Sequence, residues 1–337
     1  MQQRNQLVWT FVIVCTIATT SSSNAEKTAR SYQPPRTADG KPDLQGVWTN
    51  ASITTLERNA RYKKLALSKD EVAAATASHP QVVRQQTDDA EDEGTAKLDG
   101  SDLAKGRGYN AFWIDPGTEF GLVKGEYRTS WIVDPDDGQI PYTAQGRKTV
   151  DAFEHQRHSF DGPETRPPAE RCLIIGGRVG PPMVSGLYNN NYQIVQTKDH
   201  VVILVEMIRH ARIIPLKNRQ HAPAALAPLF GDSVGWWEGD TLVVETINFK
   251  PLQAASVVSL TPHGRVIERF TRVSAQQIFY EFTVEDPFLY KQPWRGEMSF
   301  NASQDEIYEY ACHEGNYAMS GILAGAREQE KRAVEKK

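Results

Sequence analysis

The densest group of ionisable side chains lies in the run HVVILVEMIRHARIIPL. There Val202, Leu204, Glu206, Ile208, His210, Arg212 and Ile214 alternate, so one long strand over 201–214 would align them on a single face. That face is apolar at one end and carries a carboxylate, an imidazole and a guanidinium at the other. A strand leaving a barrel wall for its mouth would desolvate Glu206, raise its pKa and let it act as acid or base. Arg212 would hold a developing oxyanion. A structural Glu–Arg pair at a barrel rim would use the same residues. His221, in the loop KNRQHAP, and His313, in CHEGN, complete the candidate catalytic set of Glu206, Arg212, His221 and His313. Each histidine could instead be bonded to backbone.

The run Tyr188-Asn189-Asn190-Asn191-Tyr192 puts three side-chain amides at the start of a strand, poor for propensity and good for hydrogen bonding. They either cap backbone groups or orient a ligand. In the second case Tyr188, Asn190, Asn191 and Trp237 form the expected substrate-binding set. Gly231-Asp232-Ser233-Val234-Gly235 fits G-x-S-x-G, but a nucleophile elbow needs a helix after the serine, and WWEGDTLVVE reads as strand, turn and strand. A serine hydrolase using Ser233 is therefore a minor alternative. His155 and His158, with Asp161 and Glu164 nearby, have spacing too common to define a metal centre, and no metal ligands are assigned. Gly176-Gly177-Arg178 lacks the strand–loop–helix context of a phosphate loop.

The elements that would position these residues are mostly strands. EYRTSWIVD is strand-like, and YQIVQT, the long run above, DTLVVETINF, RVIERFTRV, QIFYEFTVED, RGEMSF and EIYEYAC follow at short spacing, with turns at Lys198-Asp199-His200 and Glu238-Gly239-Asp240. In the later ones Ile278, Tyr280, Phe282 and Val284 share a face, and no helix intervenes. That pattern predicts a mainly β fold, an antiparallel barrel or sandwich, with a few peripheral helices. Ser68 and Glu71 have capping-box spacing and predict a helix at about 69–78. Helices are also expected over 144–158 and 318–336, the second closing the chain. Residues 86–108 are acidic, Gly-bearing and short of large hydrophobes, and read as a solvated linker without the spacing of a calcium loop.

The N-terminus reads as a Sec-type signal: Arg4, an apolar run from Leu7 to Ile17, then Ser23-Asn24-Ala25. The expected organisation is a signal peptide over 1–25, an extended region with a short helix and acidic linker over 26–109, and a β-barrel domain over 110–337. Cleavage would leave 37 basic and 42 acidic side chains, since Arg4 is the only charge in the leader. No basic stretch is interleaved with aromatics, which argues against nucleic acid and anionic membranes as partners. No membrane anchor is expected after cleavage, and a periplasmic or secreted location follows. In an oxidising compartment the two remaining cysteines, Cys172 and Cys312, are expected to pair.

The segments ADGKPDLQGVW, RTSWIVDPDDGQIP, YNNNYQIVQT, ARIIPL, GDSVGWWEGDTLVVET, VIERFTRV, TVEDP and YEYACHEGNYAMSGILAGAR resemble, in this order, a functionally uncharacterised family of secreted bacterial proteins. The likeness spans about residues 35–327. Glu206, Arg212 and His221 match it; Arg209-His210 stands where the family has His-Asp, and some members have Asn in place of His313. The opening Gly-x-Trp is similar to the first strand of lipocalin-like (calycin) barrels and favours a barrel over a sandwich. Together these readings predict an exported enzyme acting on a small, partly apolar molecule. Its acid/base chemistry, of lyase, isomerase or hydrolase type, would need no cofactor. The alternatives are a non-catalytic calycin-type carrier and an outer-surface scaffold.

Overall fold

A computed structural model describes residues 32–90, 116–156, 159–173, 179–226, 228–251, 257–312 and 317–335. Nine strands form a nearly closed antiparallel barrel, in ring order β8-β7-β6-β1-β13-β12-β11-β10-β9. They are β1 (Gly46–Thr49), β6 (Asn191–Gln196), β7 (His200–Val205), β8 (His210–Pro215), β9 (Asp232–Glu238), β10 (Thr241–Ile247), β11 (Arg265–Arg272), β12 (Gln277–Glu285) and β13 (Trp294–Ala302). A small sheet of β2 (Ala66–Leu67), β3 (Leu122–Val123) and β4 (Glu126–Arg128) stands beside it, and β5 (Ile132–Asp134) pairs with β13. Among the described residues the α-helices are α1 (Lys69–Ala77), α2 (Pro80–Ala90), α3 (Ala144–Gln156) and α4 (Ala318–Glu335). The capping box predicted at Ser68 and Glu71 is present at the start of α1. Among the described residues no helix is long and apolar enough to cross a membrane.

An odd number of strands sets the geometry of the barrel. Nine strands cannot alternate in direction all the way round a ring, so one neighbouring pair must run the same way. That pair is β8 and β9, the one break in the hydrogen-bonded ring among the described residues. Parallel neighbours need a connection of a dozen or more residues, and the chain between β8 and β9, described over 216–226 and 228–231, is long enough to supply it from the end of β8 to the start of β9. The seam closes by packing: a Cβ on Gly235 would lie 2.8 Å from Ile214 Cγ2 and 3.0 Å from Leu216 Cδ2.

The period-2 pattern of the last strands is fulfilled. Ile278, Tyr280, Phe282 and Val284 all point inward and are fully buried. Trp48, Tyr192, Phe270, Trp294, Met298 and Phe300 fill the lumen with them, many in edge or tilted ring contacts at centroid distances of 5–6 Å. The segment around 179–186 enters this core. Val179, Met183 and Val184 are buried in it, Met183 N–H donates to Tyr280 Oη at 3.0 Å, and Asn50 Nδ2 donates to Met183 O at 3.2 Å.

Three strand expectations need correction. The run 201–214 is not one strand but a hairpin: β7 and β8 pair antiparallel with Val205 opposite His210, and Glu206–Arg209 form the turn. EYRTSWIVD divides into β4 and β5, separated by Thr129–Trp131. EIYEYAC is not a strand; residues 303–311 are irregular and Cys312 lies in a turn. The linker expectation is shortened, because α2 continues to Ala90; the remainder of 86–108 lies outside the described residues. Cys172 and Cys312 are joined in a disulfide that closes a sequence separation of 140 residues.

Candidate functional site

The hairpin changes what Arg212 can touch. In an antiparallel pair, residues opposite each other share a face, so Arg212 lies with Ile203 on the inner side of the wall. It is 4% exposed, and its two terminal nitrogens bond Glu268 Oε1 at 3.0 Å and Oε2 at 2.5 Å. Tyr280 Oη donates to Glu268 Oε1 at 2.8 Å. Burial alone would lower the Arg212 pKa, but the adjoining Glu268 outweighs it and the net direction is upward. Burial, and then the Glu268 charge, push the Tyr280 hydroxyl well above its ordinary value. Arg212 and Glu268 thus join β8 to β11 across the lumen as a satisfied buried pair. Arg212 is not an oxyanion holder open to substrate. Gly180, at φ +81°, lies over it; a Cβ there would be 3.2 Å from Arg212 Nη1. The sequence reading missed Glu268, although it alternates with Val266 and Phe270 on the inward face of β11.

Glu206 is also buried, at 3% exposure, in the turn above β7. It accepts from Asn191 Nδ2 at 3.1 Å and from the backbone N–H of Asn191 and Tyr308 at 3.4 and 3.5 Å. Asn190 is 4% exposed and staples the preceding loop, accepting from Gly186 N at 2.7 Å and donating to Gly186 O at 3.0 Å. Tyr188 packs against the core beside them. The amides therefore satisfy backbone and the Glu206 carboxylate at one end of the barrel, here called the upper end. His210 lies at the same end, its ring 4.2 Å from that of Phe230. Burial, reinforced by the Arg212 charge, depresses its pKa to about 4.

His221 stands at the upper end too, on the outer side of the wall. The crossover loop brings it against β9 and β10: Nδ1 is 2.8 Å from Asp232 Oδ2, and Nε2 is 3.6 Å from Glu245 Oε2. The same Asp232 oxygen accepts from Ala222 N at 2.8 Å, and Asn248 Nδ2 donates to Ala222 O at 3.1 Å, so the loop is pinned on both sides of the ring. Burial pushes the Glu245 carboxyl up, but Arg265 and then His221 outweigh burial and hold it below the usual carboxylate range. The side chains of His221, Asp232 and Glu245 are 15%, 20% and 23% exposed, a half-buried notch. Asp232 and Glu245 were missed in the sequence because their only signal is outward alternation on adjoining strands.

Other candidates separate. Ser233 follows Asp232 in β9 and so points to the opposite face; its hydroxyl pairs with Thr246 Oγ1 at 2.8 Å, and the chain continues as strand, leaving no nucleophile elbow. Trp237 lies at the lower end of the barrel, opposite Leu242 of β10, remote along the strand from Asp232. His313, His158 and the Gly176-Gly177-Arg178 run fall outside the described residues. The molecule is thus an odd-stranded up-and-down barrel with a packed lumen and an Asp–His pair on its outer upper rim. No family model and no curated protein matches the chain.

Proposed function

We propose that this chain is an exported enzyme that performs acid/base chemistry on a small, partly apolar molecule at the upper rim of the barrel. His221 is the proton-transfer group. The observation that carries the reading is the Asp232 carboxylate 2.8 Å from His221 Nδ1. A carboxylate there fixes the ring orientation and leaves Nε2, buried 3.6 Å from Glu245 Oε2 and without a hydrogen-bond partner among the described residues, as the nitrogen that would exchange a proton. Asp232 and Glu245 then stabilise the imidazolium formed when the proton is taken, and Arg265 keeps Glu245 ionised at neutral pH. A proton abstracted next to a carbonyl, or from a water or hydroxyl, suits this arrangement, which covers lyase, isomerase and hydrolase steps. Glu206 serves as a positioning group that holds the upper turn rather than as the acid itself. Export rests on the N-terminal leader pattern and is supported by the Cys172–Cys312 bond, which suits an oxidising compartment.

A calycin-type carrier would hold its cargo in the lumen, and the burial of Met183, Tyr280 and Phe282 there argues for chemistry at the rim instead. The test is a screen of the mature protein against activated esters, glycosides and β-substituted carbonyl compounds, followed by His221→Gln on any hit. The reading expects turnover to be lost while the fold is retained. Release of every bound compound unchanged would support the carrier instead.

A further inference from the structure

At the lower end of the barrel, where the crossover loop leaves β8 and passes the end of β9, lies a cleft of about 260 Å³. Trp236 and Trp237 form its apolar wall with Leu216; Lys41, Lys198, Lys217 and Arg219 line the rest, together with Asp39. We propose that this cleft binds a small ring-bearing carboxylate, with the ring against the tryptophans and the carboxylate among the cations.

Three observations support that ligand class. First, the charge in the cleft is unbalanced. Lys217 is neutralised by Asp199 at 2.7 Å, and Asp39, which accepts from the Thr37 hydroxyl at 2.6 Å, is the one carboxylate set against Lys41, Lys198 and Arg219 in the lining. Lys41, Lys198 and Arg219 form no ion pair within 4 Å among the described residues, and Arg219 has the Glu238 carboxylate as a more distant anionic neighbour. An excess of clustered cations raises the local concentration of anions and repels cationic ligands. Second, the Arg219 guanidinium carbon lies 4.4 Å from the centre of the Trp236 ring, a cation–π contact that holds this cation at the wall of the cleft. Third, Trp237 and Leu216 line the cleft while packing against the barrel core, which gives a ring a fixed apolar surface to lie on. At about 260 Å³ the cleft is just below the usual range of roughly 300–1,000 Å³ for ligand sites, which selects one ring rather than a polymer. It lies at the opposite end of β9 from His221 and is independent of the chemistry proposed there.

A carboxylate on a ring can come from an aromatic acid or from a uronic acid, and titration with benzoate and with glucuronate separates these sources. Binding is read from the indole ¹H–¹⁵N signal of Trp237, assigned with Trp237→Phe. A saturable shift is expected with at least one acid, while its neutral counterpart, benzamide or glucose, binds about tenfold more weakly or less. In Lys41→Gln/Lys198→Gln, both exposed positions that leave the barrel intact, affinity for that acid is expected to fall about fivefold per charge removed, and added salt to weaken wild-type binding. Neither acid shifting the signal would overturn the proposal, as would equal binding of the neutral compound or unchanged affinity in the double variant. His221→Gln should leave the titration unaltered.

Discussion

At the scale of single residues, the molecule keeps its ionisable groups in two kinds of environment. Arg212 and Glu268 are sealed in the lumen, and removing one partner leaves a buried charge without compensation. Arg212→Met is expected to lose about 3–5 kcal/mol in denaturant unfolding, whereas Arg212→Met/Glu268→Leu should recover much of it. His210 is held neutral by burial and by Arg212. Its folded pKa of about 4 lies below the ordinary 6.5, so the unfolded chain binds the proton more readily. Stability is therefore full above about pH 6.5 and falls as pH drops towards 4, by roughly 1–2 kcal/mol once partial exposure is discounted. His210→Gln should flatten that limb of a stability–pH curve. The sequence announced Arg212, because a guanidinium among alternating hydrophobes is conspicuous. It concealed the partner: Glu268 is flanked by Arg265 and Arg269, which suggest a solvated strand until the inward alternation of Val266 and Phe270 is weighed.

At the scale of elements, strands with strict alternation were legible and turns lacking the usual turn residues were not. β11, β12 and β13 follow from periodicity because each buries one face of side chains in a common lumen. The β7–β8 turn escaped notice because Ile208 and Arg209 adopt left-handed conformations, at φ 52° and 53°, where glycine or asparagine is expected. With no such residue, the hydrophobic pattern reads straight through. The seam between β8 and β9 was equally hidden, since the parity of strand directions belongs to the assembled ring and to no segment of it. Its weak point is Gly235, against which Ile214 and Leu216 pack. Gly235→Ala should force the two strands apart at a cost of about 1–3 kcal/mol, measured as a lowered urea midpoint.

At the scale of the whole molecule, the fold class, the disulfide and the C-terminal helix were readable from the sequence, and the candidate site only in part. Glu206, Asn190, Asn191 and His221 do collect at one end of the barrel, but Arg212 is enclosed and Trp237 stands at the other end. The Cys172–Cys312 bond ties the segment before the lumen-filling loop to the chain just beyond β13. Cys312→Ser should lower stability by about 2–5 kcal/mol, seen as a drop in Tm that reducing agent reproduces in the wild type.

The central claim is that proton transfer runs through His221 under the direction of Asp232. Its most direct test is kcat for a substrate found by screening, compared between wild type and His221→Gln at equal folded fraction. A fall of about 10²–10⁴-fold with Tm held is the predicted result. Turnover within about twofold of wild type would contradict the claim, since that is well below the effect of removing a general base.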